Sequence, residues 1–247
     1  PAYTAKPSLY LNDIPPGPLR VPEGSQVTMR LYGEMGALTV AESVSGRPAP
    51  SPVETDTDTA AAELAGGEPA DPGATPEQSF DVAQSGRIAV EGPGGAAWEV
   101  TVIPDAAPEV QIVGDVEAEA MGEMTQRFRA SDDYAVTGGQ ATIMLDLEEV
   151  DRRFGLSVPP EPREPVVLDL PMPFSGDRGE FEEAVIDDFS EHPWANMPVT
   201  MTMEVRDALD QTGVSEPRDM ILPGRRFFQP VARAVIEQRR DLLWSKD

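Results

Sequence analysis

Four aspartates are the residues whose type and spacing could do chemistry. Asp132 and Asp133 close the stretch Met124–Asp133 (MTQRFRASDD), and Asp207 and Asp210 close Pro198–Asp210 (PVTMTMEVRDALD). Each stretch reads as a strand running into an acidic turn. If these are the second and sixth strands of an immunoglobulin-like sandwich, the loops that follow them lie at the same end. The four carboxylates could then converge, and hard oxygen ligands of this kind suit calcium. The competing reading is turn chemistry, in which Asp side chains accept hydrogen bonds from backbone amides beside Gly138, Gly139 and Gly213. Neither loop has the ordered ligand spacing of a dedicated calcium loop.

The remaining polar residues carry weaker signals. Glu182 and Glu183 are adjacent on an expected strand, so they point to opposite faces and cannot act as a glycosidase pair by themselves. His192 is the single histidine, with Ser190 nearby. A nucleophile–base pair needs a third group to orient the base, and no nucleophile motif surrounds these two. There is no Gly-rich phosphate loop and no HExxH pattern. The chain has no cysteine, which excludes disulfides and thiolate metal sites. The expectation is a non-enzymatic protein with no catalytic residue and no cofactor, calcium at the four aspartates being the one exception. The apolar loop His192–Pro198 (HPWANMP) reads as a plug at one end of the sandwich, because large aromatics usually fill core edges.

The elements that must position these residues are strands. Val199, Met201, Met203 and Val205 alternate with Thr200, Thr202, Glu204 and Arg206, and Met124, Phe128 and Ala130 form a similar inward row. A period of two puts one row on a buried face and the other in water. Similar patterns at Glu109–Val113, Gln140–Leu147, Val166–Leu170, Phe181–Ile186 and Asp219–Leu222 bring the second domain, residues 105–222, to seven strands, the number expected of an immunoglobulin-like sandwich. Glu148–Glu164 reads as a long polar connection.

The first domain, residues 1–104, shows about six short strands: Leu19–Val21, Gln26–Tyr32, Ala37–Val44, Phe80–Val82, Arg87–Val90 and Ala97–Ile103. Ser45–Gln78 is Pro, Ala, Gly, Thr and acid with few large apolar groups, and is expected to be a disordered insertion. Pro104–Pro108 (PDAAP) reads as a rigid linker. Beyond Pro223–Gly224 the period changes to that of a helix over Pro230–Lys246, with Pro230 suited to its first turn. Its first turn, around Phe227, Phe228 and Val231, is expected to pack on the sandwich while Leu242–Lys246 projects away. The fold class is therefore mainly β: two immunoglobulin-like β-sandwiches in tandem followed by a C-terminal helix, residues 223–247.

Composition bounds the setting. The 247 residues include 26 Pro and 21 Gly, which favours turns and short strands over long helices. The formal net charge is −25, and such an acidic body repels nucleic acid and anionic headgroups. Residues 223–247 reverse the sign, with six basic and three acidic groups. No apolar run is long enough for a membrane-spanning helix. The chain lacks an initiator Met and closes on helical periodicity, so it is expected to be a segment of a longer protein.

Four stretches carry a family resemblance: the opening PAYT; SDDYAV at Ser131–Val136; HPWANMP with DALDQTGVS at Asp207–Ser215; and LPGRRFFQPVARAVIEQRRDLL at Leu222–Leu243. They resemble an uncharacterised alphaproteobacterial family of membrane-anchored proteins with Gln-rich helical C-terminal halves. The resemblance implies hydrophobic spans before this segment, long helices after it, and a place on the periplasmic side of the inner membrane. Gly224 departs from the pattern, which tends to have a charged residue there. The resulting expectation is a periplasmic spacer or protein-interaction module, with a protein partner or self-association through the C-terminal helix, no nucleic acid partner, and membrane attachment only through segments outside this chain. The alternative is a calcium- or glycan-binding β-sandwich.

Overall fold

The computed structural model describes residues 1–4, 6–31, 38–46, 77–153 and 156–245. Most of the expected insertion, residues 47–76, lies outside the described residues. The chain divides into two compact units, Pro1–Asp105 and Ala106–Asp247.

Among the described residues the first unit has six strands, β1 (Gly17–Pro22), β2 (Ser25–Arg30), β3 (Thr39–Glu42), β4 (Glu77–Val82), β5 (Gly86–Glu91) and β6 (Ala96–Ile103). One sheet runs β1-β6-β5-β3 and the other is the pair β2-β4. Edge strand β1 is parallel to β6, and the other pairs are antiparallel. Alternate residues from both sheets meet in one core, among them Leu19, Met29, Phe80, Val82, Ile88 and Trp98. This is a small immunoglobulin-like sandwich. Both ends of the expected insertion are ordered: the Glu42 carboxylate accepts the Val44 and Ser45 amides at 2.8 and 2.9 Å, and β4 begins at Glu77.

The second unit holds β7 (Glu109–Ala118), β8 (Glu123–Ser131), β9 (Gly138–Leu145), β10 (Val166–Asp169), β11 (Glu180–Asp188), β12 (Pro198–Arg206), β13 (Thr212–Val214) and β14 (Arg218–Ile221). One sheet is β11-β8-β7; the other is β10-β9-β12, with β13 and β14 both pairing to β12. The second and sixth strands of this unit, β8 and β12, supply the centre of the core. Met124, Phe128, Val199, Met201, Met203 and Val205 have no exposed surface. Burying side chains of this size contributes about 1.5–3 kcal/mol each, so these two rows hold the sandwich together.

Two details were not legible as strands. The expected seventh strand, Asp219–Leu222, is β14, and an unexpected short strand, β13, precedes it on the same partner, the two separated by a break that contains Pro217, which has no amide to donate. The Ser215 hydroxyl accepts the Met203 amide at 3.0 Å across the break. In β7 the register with β8 shifts between Val113 and Glu117. The buried Gln126 side chain answers this bulge, donating from Nε2 to Val113 O at 3.0 Å, and Arg218 Nη2 donates to Gly114 O at 2.9 Å.

Helix α1 (Pro230–Ser245) belongs to the second unit, and its polarity is the reverse of the expected one. Trp244 is 4 % exposed, whereas Phe228 and Val231 are 80 % and 76 % exposed. The far end of the helix is fastened and the near end is open. The reason lies in the 148–164 connection, which is not simply polar: its Val150 and Leu156 are buried in the same cluster as Trp244. Trp244 Nε1 donates to Val158 O at 2.7 Å, the Glu161 amide donates to Trp244 O at 2.7 Å, and Arg163 Nη2 donates to Leu243 O at 2.6 Å. Arg152 stacks over the indole at 5.5 Å. In the same connection Arg153 grips Asp151 at two points, 2.9 and 2.7 Å, and these hydrogen bonds hold the Asp151 carboxyl down at about 2.

Candidate functional site

The loops after β8 and β12 do lie together. The Thr137 amide donates to Arg206 O at 2.8 Å, and the Thr137 hydroxyl donates to Asp207 O at 2.7 Å. Two of the four aspartates, however, Asp132 and Asp207, are used by their own loops. One Asp132 oxygen accepts the Tyr134 and Ala135 amides at 3.0 and 2.7 Å. Asp133 Oδ1 accepts the Ala106 amide at 3.4 Å. Asp207, 4 % exposed, accepts the Leu209 and Gln211 amides on Oδ1, both at 2.8 Å. Asp210 is exposed in the left-handed region at φ 61°, a conformation that Asp tolerates better than most residues. Among the described residues no group of three or more His, Cys, Asp or Glu side chains is placed to hold a metal ion. Asp132 Oδ1 and Asp207 Oδ2 are buried without a hydrogen-bond partner. The geometry is that of two turns braced by carboxylates.

Glu182 faces Arg129 across the β8–β11 ladder, 3.3 Å from its guanidinium, while Phe181 packs edge-on to Phe128 at 6.1 Å. Glu182 is thus an ordinary cross-strand ion pair.

The loop at 189–197 closes one end of the core, with Phe189, Trp194 and Met197 buried. His192 sits edge-on to both Phe189 and Trp194, at 6.0 and 5.1 Å. Its Nδ1 accepts the Trp194 amide at 3.1 Å, which orients the ring by backbone rather than by a carboxylate. Burial, helped by the charge of Arg163, lowers the His192 pKa and favours the neutral ring. Gly224 packs tightly here: a Cβ would come within 2.4 Å of Asn196 Nδ2 and 2.9 Å of the Ala195 Cβ. That contact explains why this chain has glycine at the junction.

Between this loop and α1 lies a cavity of about 60 Å³. Ser190, His192 and Asn196 line one side, and Arg225, Arg239 and Arg240 bring positive charge to it. Helical spacing alone puts Arg239 and Arg240 on the outer surface, away from any site. Arg240 is instead partly buried, with its Nε shielded from solvent and without a hydrogen-bond partner. The signal in the sequence was the reversal of charge sign after residue 222.

No curated protein matches this chain. Among solved structures, a DUF3823 family protein from Bacteroides ovatus is similar at 14 % identity, over 58 % of this chain and 80 % of that one, with a TM-score of 0.31. The family described as domain of unknown function DUF4175 matches residues 1–247, and the chain belongs to it.

Proposed function

We propose that this chain is a non-enzymatic spacer and protein-interaction module of an envelope protein, on the periplasmic side of the inner membrane and anchored by segments outside this chain. The observation that carries the interaction reading is the two-faced helix α1. One face is tied to the second sandwich through Leu243 and Trp244. The other leaves Phe228, Val231, Val235 and Leu242 exposed. With the exposed Gln238, these positions step by three and four residues, the spacing of a coiled-coil seam, in which a single polar residue sets register. The periplasmic placement and the anchor are supported by the family resemblance of the PAYT, SDDYAV, HPWANMP with DALDQTGVS, and LPGRRFFQPVARAVIEQRRDLL stretches alone.

This chain has no cysteine, so a cysteine introduced into it is the one thiol of the segment, and the unsubstituted protein serves as the labelling control. Val235→Cys and Gln26→Cys are introduced into the whole protein in its native envelope. Under this reading a thiol cross-linker joins Val235→Cys to a partner or a second copy, and Gln26→Cys stays uncoupled. A membrane-impermeant maleimide labels Gln26→Cys once the outer membrane is permeabilised. Equal coupling at both positions, or none at Val235→Cys, contradicts the interaction reading. Labelling only after the inner membrane is broken contradicts the placement.

A further inference from the structure

We infer that the cleft between the 190–196 loop and α1 is a binding site for a compact oxyanion of the phosphate type. Three arginines, Arg225, Arg239 and Arg240, line it with Ser190 and Asn196. Among the described residues none of these three cations forms an ion pair, in contrast to Arg87, Arg127, Arg129, Arg153 and Arg218. In a chain of net charge −25 that is an unusual concentration of unpaired positive charge. One carboxylate, that of exposed Glu237, also lines the cleft. Three cations against one anion leave its lining net positive.

Arg240, which lines the cleft, is also unsatisfied: its Nε is buried without a hydrogen-bond partner, a state that costs free energy and that a shift of the side chain toward a bound oxyanion would relieve. Arg225 is held over the Phe227 ring at 5.6 Å, which limits its freedom before any ligand arrives. His192 accepts the Trp194 amide on Nδ1, so the neutral ring carries its proton on Nε2 and has that N–H left to donate. A cavity of about 60 Å³ has room for several waters or one tetrahedral oxyanion. Charge-assisted, two-point contacts from guanidinium groups are the usual means of holding such an ion. Ile236 and Leu243 on the helix side leave an apolar wall for the organic part of an ester. The site is separate from the open face of α1, and its occupancy does not depend on what that face binds.

The same chemistry is offered by free phosphate and by a phospholipid headgroup. The test therefore has two arms, both on the full chain. In the first, the Arg240 Nε–H resonance is followed by NMR as inorganic phosphate replaces chloride at constant ionic strength. In the second, co-sedimentation with phosphatidylcholine vesicles is measured with and without phosphatidylglycerol. The inference predicts a saturable shift at Arg240 in the first arm, or binding that requires phosphatidylglycerol in the second. Whichever occurs should weaken by about tenfold in Arg225→Gln, the loss of one charge-assisted contact. Arg225 is exposed, so this variant folds, and Arg239→Gln provides a second. Response in the first arm alone identifies a soluble phosphate, and response in the second alone a headgroup. No saturable response in either arm, or responses unchanged in both variants, overturns the inference.

Discussion

Trp244 Nε1 donates to the Val158 carbonyl at 2.7 Å, joining the last turn of α1 to the middle of the β9–β10 connection. That bond fixes which end of the helix is part of the second sandwich and which end is free. Trp244→Ala removes the indole and its donor together, and is expected to cost about 3–5 kcal/mol of local stability. Trp244→Phe keeps most of the packing and orphans the carbonyl, for about 1–3 kcal/mol. Thermal unfolding followed by the fluorescence of the remaining tryptophans checks both, and the predicted order is wild type, Phe, Ala.

The β12 register makes a sharper comparison. Met203 has no exposed surface, and Thr202, its neighbour on the outward row, is partly exposed. Met203→Asp places an unpaired carboxylate in the core, at a cost of several kcal/mol, and should unfold the second unit. Thr202→Asp should leave a cooperative transition within about 1 kcal/mol of wild type. Circular dichroism melts separate the two.

Asp207 is predicted to be a structural brace. Asp207→Ala strands the Leu209 and Gln211 amides and should cost about 1–3 kcal/mol. Asp210→Ala, at an exposed position, should cost less. Calcium titration with the melting midpoint as readout addresses the alternative directly: the turn reading predicts no shift, whereas a specific ligand raises the midpoint by mass action.

The sign of the pH dependence follows from His192. Its folded pKa is depressed, mainly by burial and then by Arg163, so the unfolded chain takes up the proton first as pH falls. Its contribution is complete above about pH 6.5, the unfolded value, and is lost as pH drops through the folded value. The melting midpoint should therefore fall between about pH 7 and pH 5, ahead of the carboxylate titrations. His192→Asn, which retains an acceptor for the Trp194 amide, should flatten that segment of the profile.

Much of the fold was legible because alternation is a strong signal where one face is dry. The rows Met124–Ala130 and Val199–Val205 could be read directly, and with them the shared end of the two acidic loops. Gln126 escaped notice because a polar residue on a buried row contradicts the pattern; beside the Arg127 carbonyl, the carbonyl it binds is that of Val113 at the bulge in β7, which is invisible in sequence. The extra strand β13 ends where the Ser215 hydroxyl stands in for a ladder carbonyl and accepts the Met203 amide, which periodicity does not encode. The helix was placed correctly and oriented wrongly. Its apolar residues occur on two faces, and the choice between them was made by Val150, Leu156 and Val158, inside a stretch whose composition is mostly polar. The cleft arginines were visible as a change of charge sign, but their convergence required the 190–196 loop to be folded beneath the helix.

Hydrogen exchange along α1 in the purified chain tests the central claim most directly. If the helix is fastened at its far end and open at its near end, amide protection is low at Val231–Ile236 and rises toward Leu243 and Trp244. Protection that instead falls from Val231 to Trp244 would contradict the account, and would mean that the near end carries the packing and the far end projects.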